Sequence, residues 1–177
     1  MWAKVEGASV TEIIPRPKAM TIGDVQYPRN IFELWTSAEL KGLGIYPVTL
    51  DNTNWKDTDY YSNTAITYTF SSGTVTGAYG TATAKALADL KTSKKSGINH
   101  QANSLLSQYD WYTLRVASGG TAIPSSIATY QAAVRTAANS MCTKIDAASD
   151  VDALAALFVY TGTPPTRSLG NWPDKPE

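Results

Sequence analysis

The chain has 177 residues, 43% of them hydrophobic, and its 15 basic and 15 acidic residues cancel. That is enough for one ordinary domain or two small ones with an apolar core. The composition argues against nucleic acid as the main ligand, because no basic stripe is present, and against membrane insertion, because no apolar run is long enough to cross a bilayer.

Cys142 is the only cysteine, so no intrachain disulfide forms, and its place among helix-face residues suits a small buried hydrophobe. No charged-then-apolar segment follows Met1, which leads us to expect a soluble chain kept in a cytoplasm until it assembles. Ten Tyr and five Trp against three Phe weight the aromatics toward rings with a polar handle. Such rings are favoured where one end is buried and the other wet, as at protein interfaces.

In chain order, Trp2–Val5, a Glu6-Gly7 turn and Val10–Ile14 read as a β-hairpin, closed by Pro15 and Pro17. Gly23, Pro28 and Asn30 mark an irregular connection. Thr36 and Glu39 have capping-box spacing for one short helix that Gly42 or Gly44 ends. Residues 51–62 are polar, rich in Asn, Asp and Tyr, and read as a loop. Ile66, Tyr68 and Phe70 alternate with threonines, turn at Ser71-Ser72-Gly73 and return through Val75 to Tyr79.

Near Thr81 the hydrophobic period changes from two to between three and four. Leu87, Leu90, Ile98, Ala102 and Leu105 predict a helix over residues 83–108, either continuous or broken at Gly97. Pro124 suits the first turn of the next helix, whose stripe is Ile127, Tyr130, Val134, Ala137, Met141 and Ile145. Ser149 with Asp152 caps a last helix carrying Val151, Leu154, Leu157 and Phe158. From Thr161 the sequence TGTPPTRSLGNWPDKPE, with Pro164, Pro165, Pro173 and Pro176, is not expected to form a regular element. The expected fold class is therefore α+β. A small antiparallel β module occupies residues 1–80, an antiparallel helical hairpin 81–160, and an extended proline-rich tail 161–177.

Catalytic chemistry finds little to work with. His100 lies in a helix away from any cysteine, so neither a metal site nor a Ser-His-Asp triad has its partners. Asp57 and Asp59 alternate like cation ligands, but the glycine and closing glutamate of a calcium loop are missing. Gly119-Gly120 has neither the preceding strand nor the following lysine of a phosphate loop. Trp55, Tyr60 and Tyr61 beside those acids offer rings for a sugar, the basis of an alternative reading as a glycan-binding tip. We expect no enzyme activity, no cofactor and no metal.

The segment LLSQYDWYTLR, then IP, then YQAAVR is the most distinctive in the chain. Through Leu105, Leu106, Asp110, Trp111, Tyr130 and Arg135 it resembles the C-terminal module of small tail proteins of tailed bacteriophages, a family labelled tail assembly chaperone or tail fibre assembly protein. Gln131 departs from the family's more usual arginine, and a second acidic residue after the Asp-Trp pair is missing. Ile31, Trp35, Glu39, Leu40, Gly44, Ile45, Tyr46 and Pro47 are similar to the front module found ahead of that motif. The resemblance implies protein–protein assembly with other tail or fibre proteins and with copies of itself. It implies a place in the virion tail, with the host cytoplasm as the site of assembly. The main reading is a retained structural component; the alternative is an assembly chaperone that leaves. The expected partner-binding residues are Trp172, Pro164, Pro165, Asp110, Trp111, Tyr130 and Arg135, with residues 161–177 lying along a neighbouring subunit. For Asp110 and Trp111 themselves the preferred reading is that Asp110 caps or closes the helix connection and Trp111 plugs the end of the hairpin core, with the binding surface elsewhere; direct partner contact is the alternative.

Overall fold

The computed structural model describes residues 1–176; Glu177, the last residue of the expected tail, lies outside them. The chain is α+β and forms two compact units, one ending at Thr83 and the other starting at Ala84.

The first unit opens with β1 (Trp2–Glu6) and β2 (Ser9–Ile14), the expected hairpin, with a register shift between Lys4 and Val5. The connection marked by Gly23, Pro28 and Asn30 is more ordered than its composition suggests. It holds a hairpin of β3 (Met20–Ile22) and β4 (Val25–Tyr27), turning at Gly23 (φ 60°), and one turn of helix, α1 (Ile31–Leu34). In α2 (Ser37–Gly42) the capping box is complete: the Glu39 amide donates to Thr36 Oγ1 at 3.3 Å and the Thr36 amide to Glu39 Oε2 at 2.7 Å. Those bonds to Thr36 hold the Glu39 carboxyl below its ordinary value.

After Gly44 (φ 76°) comes β5 (Ile45–Asp51), a strand that the residue pattern does not announce because Pro47 interrupts it. Its position resolves the conflict. The ladder to β1 runs over Ile45, Tyr46 and Pro47, and β8 pairing begins at Val48, so Pro47 sits where β5 changes partner. A two-residue strand, β6 (Tyr61–Ser62), closes the polar loop. The strands β7 (Ile66–Ser71) and β8 (Thr74–Tyr79) then form the second expected hairpin, and β9 (Thr83–Ala84) ends the extended run. The sheet order is β2-β1-β5-β8-β7. The β5–β8 pair is parallel, so the sheet is mixed where hairpins alone would make it antiparallel.

Both faces of this sheet carry apolar side chains. Ile14 and Ile45 pack with Met20, Ile31, Phe32 and Leu40 from the connecting segments. On the other face Ala3, Val5 and Val75 are buried against Tyr46, Tyr68 and Phe70. The edge strands β2 and β7 approach each other, so the sheet curls over that second cluster. Gly77 leaves room for the curl: a Cβ there would lie 2.7 Å from the Tyr68 ring.

The second unit is built on α3 (Leu87–Ser107) and α5 (Ser125–Ala147), which pack together. They run antiparallel, with Lys91 Nζ donating to the Asp146 carbonyl at 2.9 Å and Asn99 opposite Cys142. The first helix begins at Leu87 rather than Thr83, because β-branched Thr81 and Thr83 prolong the extended backbone. It continues through Gly97, where only open space would meet a side chain. On α5, Ile127, Tyr130, Val134, Met141 and Ile145 are buried as the stripe requires, with Ala138 and Gln131 alongside.

The final helix, α6 (Val151–Ala156), is capped one residue later than the spacing suggests. Asp150, not Ser149, accepts from the Ala153 amide at 2.7 Å, and Ser149 Oγ donates to Asp150. The Ala153 bond leads in holding the Asp150 carboxyl below its ordinary value. Residues 161–176 are not extended throughout, correcting that expectation. The strands β10 (Tyr160–Thr161) and β11 (Thr166–Arg167) pair as a small hairpin, with a cis Thr163–Pro164 bond in its turn.

Gly44 and Gly42 form a matched pair for testing the α2–β5 junction. A Cβ on Gly44 would sit 2.7 Å from the Val5 carbonyl oxygen, and left-handed backbone costs a side chain about 1–2 kcal/mol. Gly42 faces open space. We expect Gly44→Ala to lower the thermal midpoint of unfolding and Gly42→Ala to leave it unchanged or raise it, by up to about 1 kcal/mol of stability.

The lowered carboxyls of Glu39, Asp51 and Asp150 give a pH dependence of defined sign. Their stabilisation is present above the ordinary carboxylate values and is lost as pH falls through the lower, folded-state values. Thermal melts taken across the acid range should show falling stability, with a shallower slope for Asp150→Asn.

Candidate interaction surface

Between the two long helices the chain forms α4 (Asp110–Ala117). The connection expected here is thus partly helical, and Asp110 and Trp111 open it. Asp110 stands in the first turn, where a negative charge suits the unsatisfied amides, although the preceding Tyr109 supplies no side-chain cap. No residue of α4 is buried. Gly119 (φ 82°) turns the chain, and the Gly120 amide bonds back to the Arg115 carbonyl at 2.9 Å.

Arg115 organises this corner. Its Nη2 donates to the Ala122 carbonyl at 3.0 Å, and its guanidinium lies 5.1 Å from the Trp111 ring centre and 4.9 Å from that of Tyr112. Trp111 stacks on Tyr112 at 3.8 Å, Tyr112 neighbours Tyr109 at 6.4 Å, and Tyr109 meets Tyr130 edge to face at 5.5 Å. Trp111 and Tyr130, distant in sequence, are therefore joined through two intervening tyrosines. Trp111 does not plug the hairpin core, correcting that reading: it is 51% exposed, and Leu114, one turn on, is 68% exposed. The Trp111 ring is held within the chain by Tyr112 and by Arg115, which stands four residues on and was not singled out from the sequence. An arginine at i+4 from Trp111 and i+3 from Tyr112 is the signal that was available.

Tyr130 is buried, and among the described residues its hydroxyl has no hydrogen-bond partner. Burial, then the neighbouring Tyr109, pushes its ionisation up. Arg135 lies on the exposed side of α5.

The tail residues sit on their own helical unit. Leu169 is fully buried and its amide donates to the Leu157 carbonyl at 3.0 Å. The Lys144 ammonium donates to the carbonyls of Ser168 at 2.8 Å and Leu169 at 3.2 Å. Trp172 Nε1 donates to Gln101 Oε1 at 3.1 Å, and Lys175 Nζ to Gln108 Oε1 at 3.1 Å. Pro164 and Pro165 are exposed in the β10–β11 turn. The site residues thus fall into three places: the α4 corner with Tyr130, the exposed side of α5, and the tail.

In the first unit, Trp55 is half-exposed but Tyr60 is buried, and Lys56 lies 5.0 Å over the Tyr61 ring. A sugar would find one free ring there rather than three. Asp57 accepts from the Asp59 amide at 2.8 Å, and among the described residues no three His, Cys, Asp or Glu side chains gather as a metal site. Leu34 and Trp35 form a second exposed apolar spot, with Trp35 edge-on to Tyr27 at 5.8 Å. Among the described residues, no helix is long and apolar enough to cross a membrane.

No protein-family model matches the chain, and no curated protein or solved structure is significantly similar to it.

Tyr130 and Leu114 should both tolerate truncation, for different reasons. An unpaired buried hydroxyl carries a desolvation penalty of about 1–3 kcal/mol, so Tyr130→Phe is expected to hold or raise the thermal midpoint. Leu114→Ala, at a solvent-facing position, should change stability by no more than about 0.5 kcal/mol. Parallel denaturant titrations measure both.

Proposed function

We propose that this chain is a non-enzymatic structural component of a bacteriophage tail, acting through protein–protein contacts and retained in the particle. The observation that carries the reading is α4, a helix with no buried residue, which presents Trp111 and Leu114 one turn apart to solvent. Large apolar side chains exposed together mark interaction sites, and tryptophan is among the residues that most often dominate binding energy. Supporting it is the likeness of Leu105, Leu106, Asp110, Trp111, Tyr130 and Arg135 to the phage tail motif. The cation–π contacts from Arg115 hold the Trp111 ring in place before a partner arrives, which lowers the ordering cost of association. The partners proposed are tail or fibre proteins.

Mass spectrometry of purified particles tests the reading. A near-stoichiometric copy number is expected; presence in lysate with absence from particles would instead make the chain an assembly chaperone. Leu114→Glu places a charge at the centre of the proposed contact on an exposed position. It should leave the fold intact, judged by circular dichroism, and reduce incorporation into particles by tenfold or more, a cost of about 1.4 kcal/mol.

A further inference from the structure

The end of the chain runs along its own helical unit in the sense opposite to α5. Leu169 is fully buried, and Gly170 lies against Met141 and Lys144 in the last turns of that helix. Both backbone polar groups of Gly170 are held, its amide donating to the Arg167 carbonyl and its carbonyl accepting from Arg167 Nε, each at 3.0 Å. From there Trp172 reaches Gln101 of α3, and Pro173, Asp174 and Pro176 border a cleft with Ser125, Thr129 and Tyr130 at the start of α5. The stretch of α5 between Met141 and Tyr130 is about 16 Å long, and residues 170–176 span at most about 20 Å. The segment thus lies close to its full reach, and Pro173 and Pro176 stiffen it.

Its far end meets the aromatic corner from two sides. Lys175 Nζ donates to Gln108 Oε1 at 3.1 Å, and Gln108 Nε2 in turn donates to the Ser104 carbonyl at 3.1 Å. Gln108 is the C-cap of α3, and the next residue, Tyr109, is the N-cap of α4 without a side-chain cap bond. The Tyr109 ring also meets Tyr130 at 5.5 Å, and the two prolines border the same cleft as Tyr130. The chain neighbour of Tyr109 and its ring neighbour are therefore both met by one short segment. Since α4 buries no residue of its own, its direction is set through its ends.

We propose that residues 171–176 are a positioning strap for α4. Docked on α3 and α5, they hold Tyr109, and through its neighbouring rings the Trp111 face, in one direction. Released, they let α4 loosen while α3 and α5 stay paired. The side-chain bonds beyond Gly170 involve exposed partners, so this segment opens more readily than the buried plug at Leu169. A loosened α4 presents Trp111 and Leu114 in many directions and binds more weakly, because the ordering then falls on association. That last consequence rests on the interaction role proposed for α4; the strap itself does not.

Amide hydrogen exchange on the full chain tests the strap without phage particles, so its failure and that of the tail assignment are read separately. The double variant Trp172→Ala with Lys175→Ala should speed exchange over residues 110–117 by about tenfold, equivalent to about 1.4 kcal/mol of local opening. Exchange over 90–102 and 134–145, where α3 and α5 pack, should stay unchanged. Lys175→Ala alone, at an exposed position, carries the test should the double variant fail to fold, with an expected change of about threefold. Lys175→Arg keeps a donor and should keep the protection. Equal acceleration across α3, α4 and α5 would make the segment a general support of the helices. Unchanged exchange over 110–117, whether slow or already fast, would detach it from α4. Either result overturns the proposal.

Discussion

The first unit depends on β5 changing partner along its length. Its first residues, Ile45 to Pro47, pair with β1, and Val48 to Asp51 pair with β8. Two hairpins that are each marginal alone thereby become one sheet. Pro47 is compatible with this central position because it lies at the changeover, where the loss of one amide interrupts neither the β8 ladder nor the packing of Ile45 beneath it. The left-handed turn at Gly44 sets the entry, and the Gly44 carbonyl accepts from the Val5 amide at 2.8 Å. A capped helix, a glycine and a proline thus combine to place one strand.

The hairpins β1–β2 and β7–β8 were legible because alternation and turn residues agreed. The α5 stripe was legible because its buried positions recur at helical spacing. What was hidden has a common cause: local pattern and tertiary role disagreed. Pro47 argued against a strand that only partner exchange makes possible. Tyr, Trp and Thr weaken the helical signal of α4, and with no residue buried it has no periodic face to reveal it. The tail hairpin depends on Thr161 meeting Thr166 across a glycine and two prolines, a pairing no periodicity marks.

The candidate surface was half visible. Asp110, Trp111 and Tyr130 stood out as residue types, but their connection runs through Tyr109 and Tyr112, whose role emerges only when the rings are placed. The exposure of Trp111 reverses its simplest reading. A tryptophan at a helix junction is expected to fill a core, whereas here cation–π and stacking contacts hold it at the surface. The costs of the unpaired Tyr130 hydroxyl and of the buried Arg115 Nε, which has no acceptor among the described residues, are both borne in this cluster, so apolar packing and two unmet polar groups coexist there.

The two units also differ in how much of their structure can start locally. The α3–α5 packing joins helices that can each begin to form locally, separated by a connection that folds partly on itself as α4. The parallel register that matches Val48 to Val75 has no such local start, since the intervening segment must be looped out before any bond of that ladder forms. Folding speed falls as contacts become less local. Until β5 closes on β8, the strand edges of the first unit remain open to other chains.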